Sequence, residues 1–324
     1  MGEKSLNKTL NKANKSKNDD FYTQLTDIEK ELKHYKKHFK NKVIFCNCDD
    51  PHISNFFHYF SYNFKQLGLK KLITTCYKNQ QMNLFSDYKS EKAIYLEYTG
   101  DKNNVPDPKD IGIKHLKGDG DFRSQECIEL LKQSDIVVTN PPFSLFKEYV
   151  AQLVEFNKKF LIIGNTNALS YKEIFKLFKE NKIRTGYTNF NVGMFFIVPK
   201  DWKHFHHIDE NGNKIARVST SCWFTNLEVE KHKDFIILYK KYNSKEYPKY
   251  DNYNAINVNN VNNIPMDYKG VIGVPITFLG KYNPEQFEIV GQMATTKVDR
   301  FNHGYPYIND KKIYARILIK NKKL

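Results

Sequence analysis

Residues 135–143 read Asp135-Ile136-Val137-Val138-Thr139-Asn140-Pro141-Pro142-Phe143. Ile136, Val137 and Val138 are apolar and β-branched, which suits a buried strand. Proline has no amide hydrogen to give a sheet ladder, so the strand must end before Pro141. In open α/β sheets ligands bind outside such strand ends. The stretch therefore offers a carboxamide, two conformationally locked carbonyls and an aromatic face at one edge of a sheet.

The flanking sequence supplies the rest of that sheet. Val43-Ile44-Phe45 starts a strand that ends at Cys46-Asn47-Cys48-Asp49-Asp50-Pro51. Residues 53–67 read as a helix burying Phe56, Phe57, Phe60 and Phe64, and 72–76 as a second strand. Residues 78–112 look irregular apart from a strand-like piece at 93–98. Gly118-Asp119-Gly120-Asp121-Phe122 is a tight turn ahead of a helix near 124–133. A helix near 144–156, a strand at 160–164 and a helix at 170–181 follow the Asn140 strand. Strands alternating with helices predict an α/β fold with a doubly wound, mostly parallel sheet. Upstream, Leu25, Ile28, Leu32, Tyr35 and Phe39 repeat at helical spacing over 25–40, with Thr26 and Glu29 at capping-box spacing.

Downstream, 193–198 and 218–225 read as a closing antiparallel hairpin. The Asn-rich 252–263 resembles a loop or linker, and 270–279 and 287–292 are strand-like. Lys311 to Leu324 carries six basic residues and no acid. The expected organisation is a flexible basic arm over 1–20, a catalytic domain over 21–228 and a smaller recognition region over 229–324.

Composition narrows the partner. The 324 residues carry 51 Lys+Arg against 36 Asp+Glu, a net charge of +15, which favours a polyanion. Residues 1–18 contain five lysines and one acid. No apolar run approaches membrane-spanning length, and the N-terminal segment is polar rather than signal-like. The five cysteines, Cys46, Cys48, Cys76, Cys127 and Cys222, form no C-x-x-C pair. They are expected as free thiols in a reducing cytoplasm. Neither Cys46-x-Cys48 nor His206-His207 has a second ligand pair at zinc spacing, so no metal is expected.

The Asn140 tetrad suits one chemistry in particular. An exocyclic amine on a nucleobase is a poor nucleophile because its lone pair is delocalised into the ring. Two acceptors facing its two hydrogens localise that pair. The Asn140 side-chain oxygen is one such acceptor, and the Pro141 carbonyl, held by the fixed φ of Pro141 and Pro142, is the other. Phe143 can stack on the base. Positioning and electrostatics then carry a methyl transfer without a strong general base.

With these residues assembled, the chain resembles the S-adenosylmethionine-dependent amino-group DNA methyltransferases, and more narrowly the EcoRI-type adenine-specific ones. The resemblance runs over nearly the whole chain. It rests on Asp20-Phe21-Tyr22-Thr23-Gln24, Cys46 to Pro51, Asn140 to Phe143, Cys222-Trp223-Phe224-Thr225-Asn226, Val274 to Phe278 and Tyr282-Asn283-Pro284-Glu285-Gln286-Phe287. It implies the fold of that methyltransferase class with a C-terminal DNA-recognition region. It also implies methylation of adenine N6 in double-stranded DNA at the inner adenine of GAATTC. Asn140, Pro141, Pro142 and Phe143 match the catalytic motif. Phe21, Tyr22, Thr23, Cys46, Asn47, Cys48, Asp49, Asp50, Asp119, Asp121 and Asn140 match the S-adenosylmethionine site, with either acid of each pair open as the contact. The usual glycine-rich cofactor loop is absent from Cys46–Pro51. The target adenine is expected to be flipped out, stacked by Phe143 and supported by Trp223 or Phe195. A monomer, and functional pairing with a restriction endonuclease without a stable complex, are also implied.

Competing readings remain. Cytosine-C5 methylation needs a Pro-Cys nucleophile, and no proline here precedes a cysteine. An RNA or protein-glutamine methyltransferase shares the tetrad's logic. A metal-dependent nuclease would have to draw on Asp107, Asp201 and Lys203.

Overall fold

The computed structural model describes residues 21–77, 93–100 and 106–324. The expected basic arm over 1–20 lies outside these residues, as do 78–92 and 101–105 of the irregular stretch 78–112. The chain divides into two units, one of residues 1–165 and 191–227 and one of 166–190 and 228–324. Residues 166–190 thus cluster with the C-terminal region rather than with the catalytic domain in which sequence order put them.

In unit 1, β1 (Tyr22–Thr23) leads into helix α1 (Leu25–Leu32), continued by shorter helical turns to Phe39. Its N-cap is Gln24, without a side-chain cap bond, so the Thr26–Glu29 capping box does not form. The strands are then β2 (Val43–Asn47), β3 (Lys71–Cys76), β4 (Ile94–Tyr98), β5 (Lys114–His115), β6 (Ile136–Thr139) and β7 (Lys159–Asn165). Helices α2 (Asn55–Tyr62), α3 (Gln125–Gln133) and α4 (Phe146–Glu155) alternate with them. Three further strands matter, β8 (Met194–Val198), β10 (Lys214–Val218) and β11 (Ser221–Thr225), with the short β9 (His207–Ile208) between β8 and β10.

Within unit 1 the main sheet runs β5-β4-β3-β2-β6-β7-β11. Its centre, β3-β2-β6-β7, is parallel. The flanks are antiparallel, β4 on β3, β5 on β4 and β11 on β7. The sheet is therefore mixed rather than mostly parallel. The periods were legible, but the direction of a short strand depends on which edge its connection reaches. The expected hairpin of 193–198 with 218–225 does not form either. β8 pairs with β10 and β1 in a separate small sheet, while Ser221–Thr225 joins the main sheet. β2, β6 and β11 are buried throughout, as continuous apolar runs covered on both faces must be.

After β2 the chain moves to β3 on one side and later returns to β6 on the other. The C-terminal ends of β2 and β6 thus form the topological switch point, where an open α/β sheet leaves a crevice.

Unit 2 builds a sheet from β12 (Ala255–Asn257), β13 (Val271–Pro275), β17 (Arg316–Asn321) and β14 (Phe287–Met293), in that order. β12 is parallel to β13, and β17 is antiparallel to both its neighbours. The Asn-rich segment is thus no linker, since it holds β12 and the buried Asn257. Helix α5 (Lys172–Lys179) ties its Lys179 ammonium to the carbonyls of Ile289 and Val290.

Gly164 on β7 is fixed by packing. A Cβ there would stand 2.4 Å from the Phe146 ring and 2.9 Å from the Phe224 ring. These buried rings have centroids 5.0 Å apart. We expect Gly164→Ala to destabilise unit 1 by about 1–3 kcal/mol through overpacking, read as a lower midpoint in urea unfolding. An unchanged midpoint would show that the α4–sheet contact is loose.

Candidate active site

Asn140 stands immediately after β6 and directly before Pro141. Its Nδ2 donates to the Phe21 carbonyl at 2.6 Å. A carbonyl can only accept, so this bond fixes the amide's orientation. Asn140 Oδ1 is then left as the acceptor, and it is buried without a hydrogen-bond partner. Such atoms are rare in folded proteins. Pro142 accepts the amide of Leu145 at 3.0 Å, closing the turn that carries Phe143. Phe143 is half-buried and meets the buried Phe196 edge-on at 6.4 Å.

The segment facing Asn140 is β1. Tyr22 and Thr23 pair with Ile197 and Phe196 of β8, and Asn55 at the start of α2 donates to the Thr23 carbonyl at 2.7 Å. Phe21 packs on Phe196 at 6.0 Å and on Trp202 at 5.3 Å. β1 is thereby pinned from both strand ends, by Asn140 after β6 and by Asn55 after β2.

The loop after β2 is held from within. Cys46 is fully buried, and burial together with Asp49 pushes its thiol pKa well up. Asn47 is buried, and its side-chain oxygen accepts the Thr75 hydroxyl at 3.0 Å. Cys48 has φ +69°, a left-handed conformation that disfavours a Cβ. The backbone therefore turns where a glycine-rich loop would turn, with cysteine in place of glycine. Asp49 donates its amide to the Thr75 carbonyl at 2.8 Å, and its own carbonyl accepts the Thr74 hydroxyl at 2.7 Å. Ser54 donates its hydroxyl to Asp49 Oδ1 at 2.8 Å while accepting the amides of Phe56 and Phe57 as the N-cap of α2.

Thr139 braces Asp49 from the end of β6. Its hydroxyl lies against both the Asn47 carbonyl and Asp49 Oδ2. Burial raises the Asp49 pKa to about 7, with the Thr139 and Ser54 bonds opposing the rise and Asp50 adding to it. Asp50 differs: its Oδ1 accepts the amide and Nδ1 of His52, each at 2.9 Å.

Tyr149 of α4 is fully buried and its hydroxyl is unpartnered. Burial first, then proximity to Cys48, Asp49 and Cys46, raises its pKa. The phenol therefore sits beneath the β2 loop. Phe122 packs on Tyr149 at 4.9 Å. The preceding turn is anchored by Gly120 (φ +79°), where a Cβ would stand 2.4 Å from the Cys76 carbonyl at the end of β3. Asp119 is exposed and accepts the Asp121 amide at 3.0 Å. Asp121 is clamped by Arg123, at 2.9 Å to Nε and 2.6 Å to Nη2.

Two expected stacking residues do not reach this corner. Trp223 is 0% exposed and packs on Phe56 within the core, so it has no free face. Phe195 alternates away from Phe196 on β8 and packs on His206 at 5.3 Å. The residues sequence reading missed are Phe196, Trp202, Thr139 and Tyr149. Strand alternation around β8 was the available signal for Phe196 over Phe195; the others become visible only once the elements are placed. Among the described residues no cluster of His, Cys, Asp and Glu could hold a metal. Asp107 caps a short helix through the Lys109 amide, an ordinary structural role.

With this geometry in place, comparison with known proteins is direct. The model of the family described as adenine-specific methyltransferase EcoRI matches residues 9–322. The chain belongs to that family. It is 50% identical over 333 aligned positions to the Type II methyltransferase M.EcoRI of Escherichia coli, covering all of this chain and 99% of the relative. It is 42% identical to the Type II methyltransferase M.MgeORF184P of Mycoplasma genitalium, over 97% of this chain and 99% of that one. The Type II methyltransferase M.MpnI of Mycoplasma pneumoniae is 38% identical, over 97% and 98% respectively. No solved structure matches. This adenine-specific methyltransferase thus carries an orphaned amide oxygen and a buried carboxyl with a raised pKa at the switch point of its sheet.

The Asp49 proton sets a pH dependence. The folded-state pKa of about 7 lies above the ordinary carboxylate value of 3.8, so unfolding releases a proton between those limits. Stability from this group is full below about pH 4 and falls as pH rises to about 7. Asn at position 49 mimics the neutral carboxyl. We expect Asp49→Asn to be level with wild type near pH 4 and more stable than it at pH 7 by a few kcal/mol, on the order of 1.4 kcal/mol per pH unit at most. Parallel unfolding curves across that range would contradict the raised pKa.

Proposed function

We propose that this enzyme transfers a methyl group from S-adenosylmethionine to N6 of the inner adenine of GAATTC in double-stranded DNA, as the modification half of a type II restriction-modification system. The observation that carries the reading is the buried, unpartnered Asn140 Oδ1 whose amide is held by Phe21. The 50% identity to M.EcoRI over full length supports the site and the base.

Asn140 Oδ1 accepts one hydrogen of the target amine and the Pro141 carbonyl the other; the Pro142 carbonyl already serves Leu145. Together they pull the nitrogen lone pair out of conjugation and aim it. The nitrogen sheds its proton to solvent once it has become cationic by methylation. Phe143 stacks on the base, with Phe196 behind it. An adenine inside a duplex cannot reach this corner, so it is flipped out. The bound donor supplies an electrophilic methyl group on a sulfonium. The residues present fit it: β1 (Phe21, Tyr22, Thr23) on one side, the Asn47–Asp50 backbone below, and the Asp119–Asp121 turn toward its adenine. Of the paired acids, Asp50 is the contact, because both Asp49 oxygens already accept the Ser54 and Thr139 hydroxyls. The basic arm over 1–20 adds contacts to phosphates, the enzyme acts in the cytoplasm as a monomer, and a cognate endonuclease works beside it without a stable complex.

The test is Asn140→Ala. We expect turnover on GAATTC duplexes to fall by at least about 100-fold, with the dissociation constant for the same duplex changed less than about threefold. Retained turnover would falsify the catalytic assignment.

A further inference from the structure

The C-terminal basic segment does not act as one surface. Arg316 is buried, its guanidinium donating to Asn257 Oδ1 and Asn259 Oδ1, each at 2.9 Å, and to the carbonyls of Tyr314 and Ala315. Lys322 donates to the Pro284 carbonyl at 2.9 Å, and Lys323 lies over the Phe235 ring at 5.4 Å. These three are engaged in unit 2 itself.

Lys311 and Lys312 are different. They form β16 (Lys311–Lys312), paired with β15 (Tyr307–Ile308) in a two-stranded ribbon. Asn309 and Asp310 join the strands with φ of +50° and +61°, the tight turn whose twist matches a hairpin. An isolated two-stranded hairpin is marginal in water, and this one is secured from its flank. Asp251 accepts the turn amides of Asn309 and Asp310 at 3.2 and 2.8 Å, and donates its own amide to the Tyr307 carbonyl. Asn252 holds the Tyr305 carbonyl at 2.9 Å. Ile308 and Ile313 pack on the cluster of Tyr250, Ala255, Met293 and Leu318.

Apart from Asp310 at the turn, which is exposed, what this ribbon turns outward is suited to a polyanion. Lys311 and Lys312 are exposed, and Tyr314 is 88% exposed. Lys312 stands over the Tyr305 ring at 3.3 Å. Asp251 is committed to the turn amides. A groove of B-DNA admits a two-stranded ribbon of this kind.

We propose that the β15–β16 ribbon is a DNA-contacting element. Lys311 and Lys312 neutralise backbone phosphates, and Tyr314 packs on the sugar and base edges of the groove. The proposal rests on the DNA-methyltransferase reading above and adds the surface that holds the duplex.

The experiment is binding of a fluorescent GAATTC duplex by fluorescence anisotropy across a salt series, with turnover measured on the same preparations. For Lys311→Ala/Lys312→Ala we expect the dissociation constant to rise about tenfold. The slope of log affinity on log salt should shrink by about 2, since each phosphate contact contributes roughly 0.9. Turnover at saturating DNA should stay within about twofold. Tyr314→Ala should weaken binding about threefold without changing the slope, and Tyr314→Phe should restore it. Should the double variant unfold, Lys311→Gln alone must show about half the slope change. If wild type methylates the duplex while the variants keep its affinity and slope, the ribbon assignment is wrong and the enzymatic reading stands. If wild type transfers no methyl group to DNA, both fall.

Discussion

One hydrogen bond organises the corner after β6, from the Asn140 carboxamide to the Phe21 carbonyl. Because the partner is a carbonyl, the bond fixes which end of the amide points where. It needs β1 in place, and β1 is held by its pairing with β8 and by Asn55 at the head of α2. An acceptor that stays dry and unpaired in the free protein is an electrostatic arrangement made in advance. It carries an unsatisfied buried atom, which costs about 1–3 kcal/mol, and a ligand's N–H would recover that cost.

The same corner is braced from below by Thr139 and Asp49. They join the end of β6 to the loop after β2 across the switch point. Burial penalises charge on Asp49, and the Ser54 and Thr139 hydroxyls hold its carboxyl in place at the loop. Asp50 and the strained Cys48 then shape the outer side of that loop. The division of labour between adjacent acids follows from burial and partners, not from their residue type.

Much of this was legible in the sequence. The β-branched run ending in Asn140-Pro141-Pro142 located the strand and its end, because proline has no amide to give the ladder. The continuous apolar strands at 43–47 and 136–139 and the aromatic face of α2 followed from period alone. What was not legible depended on contacts between distant elements. Strand direction at the sheet's flanks, the separation of 194–198 from 221–225, and the transfer of 166–190 to unit 2 are set by tertiary packing. Trp223 was expected to support the target base, yet the core took it, while Trp202 came to rest on Phe21. The absent glycines in the β2 loop seemed to demand another backbone path, but Cys48 adopts the left-handed turn itself.

The claim at the centre is that an amide oxygen and a proline carbonyl receive the amine of a nucleobase in duplex DNA. The most direct measurement is to incubate the full chain with methyl-labelled S-adenosylmethionine and a duplex carrying one GAATTC, then to digest the DNA and locate the label by mass spectrometry. The expected result is N6-methyladenine at the inner adenine of each strand. Label on a cytosine ring carbon, or label found only in RNA or protein when these are offered alongside, would contradict it.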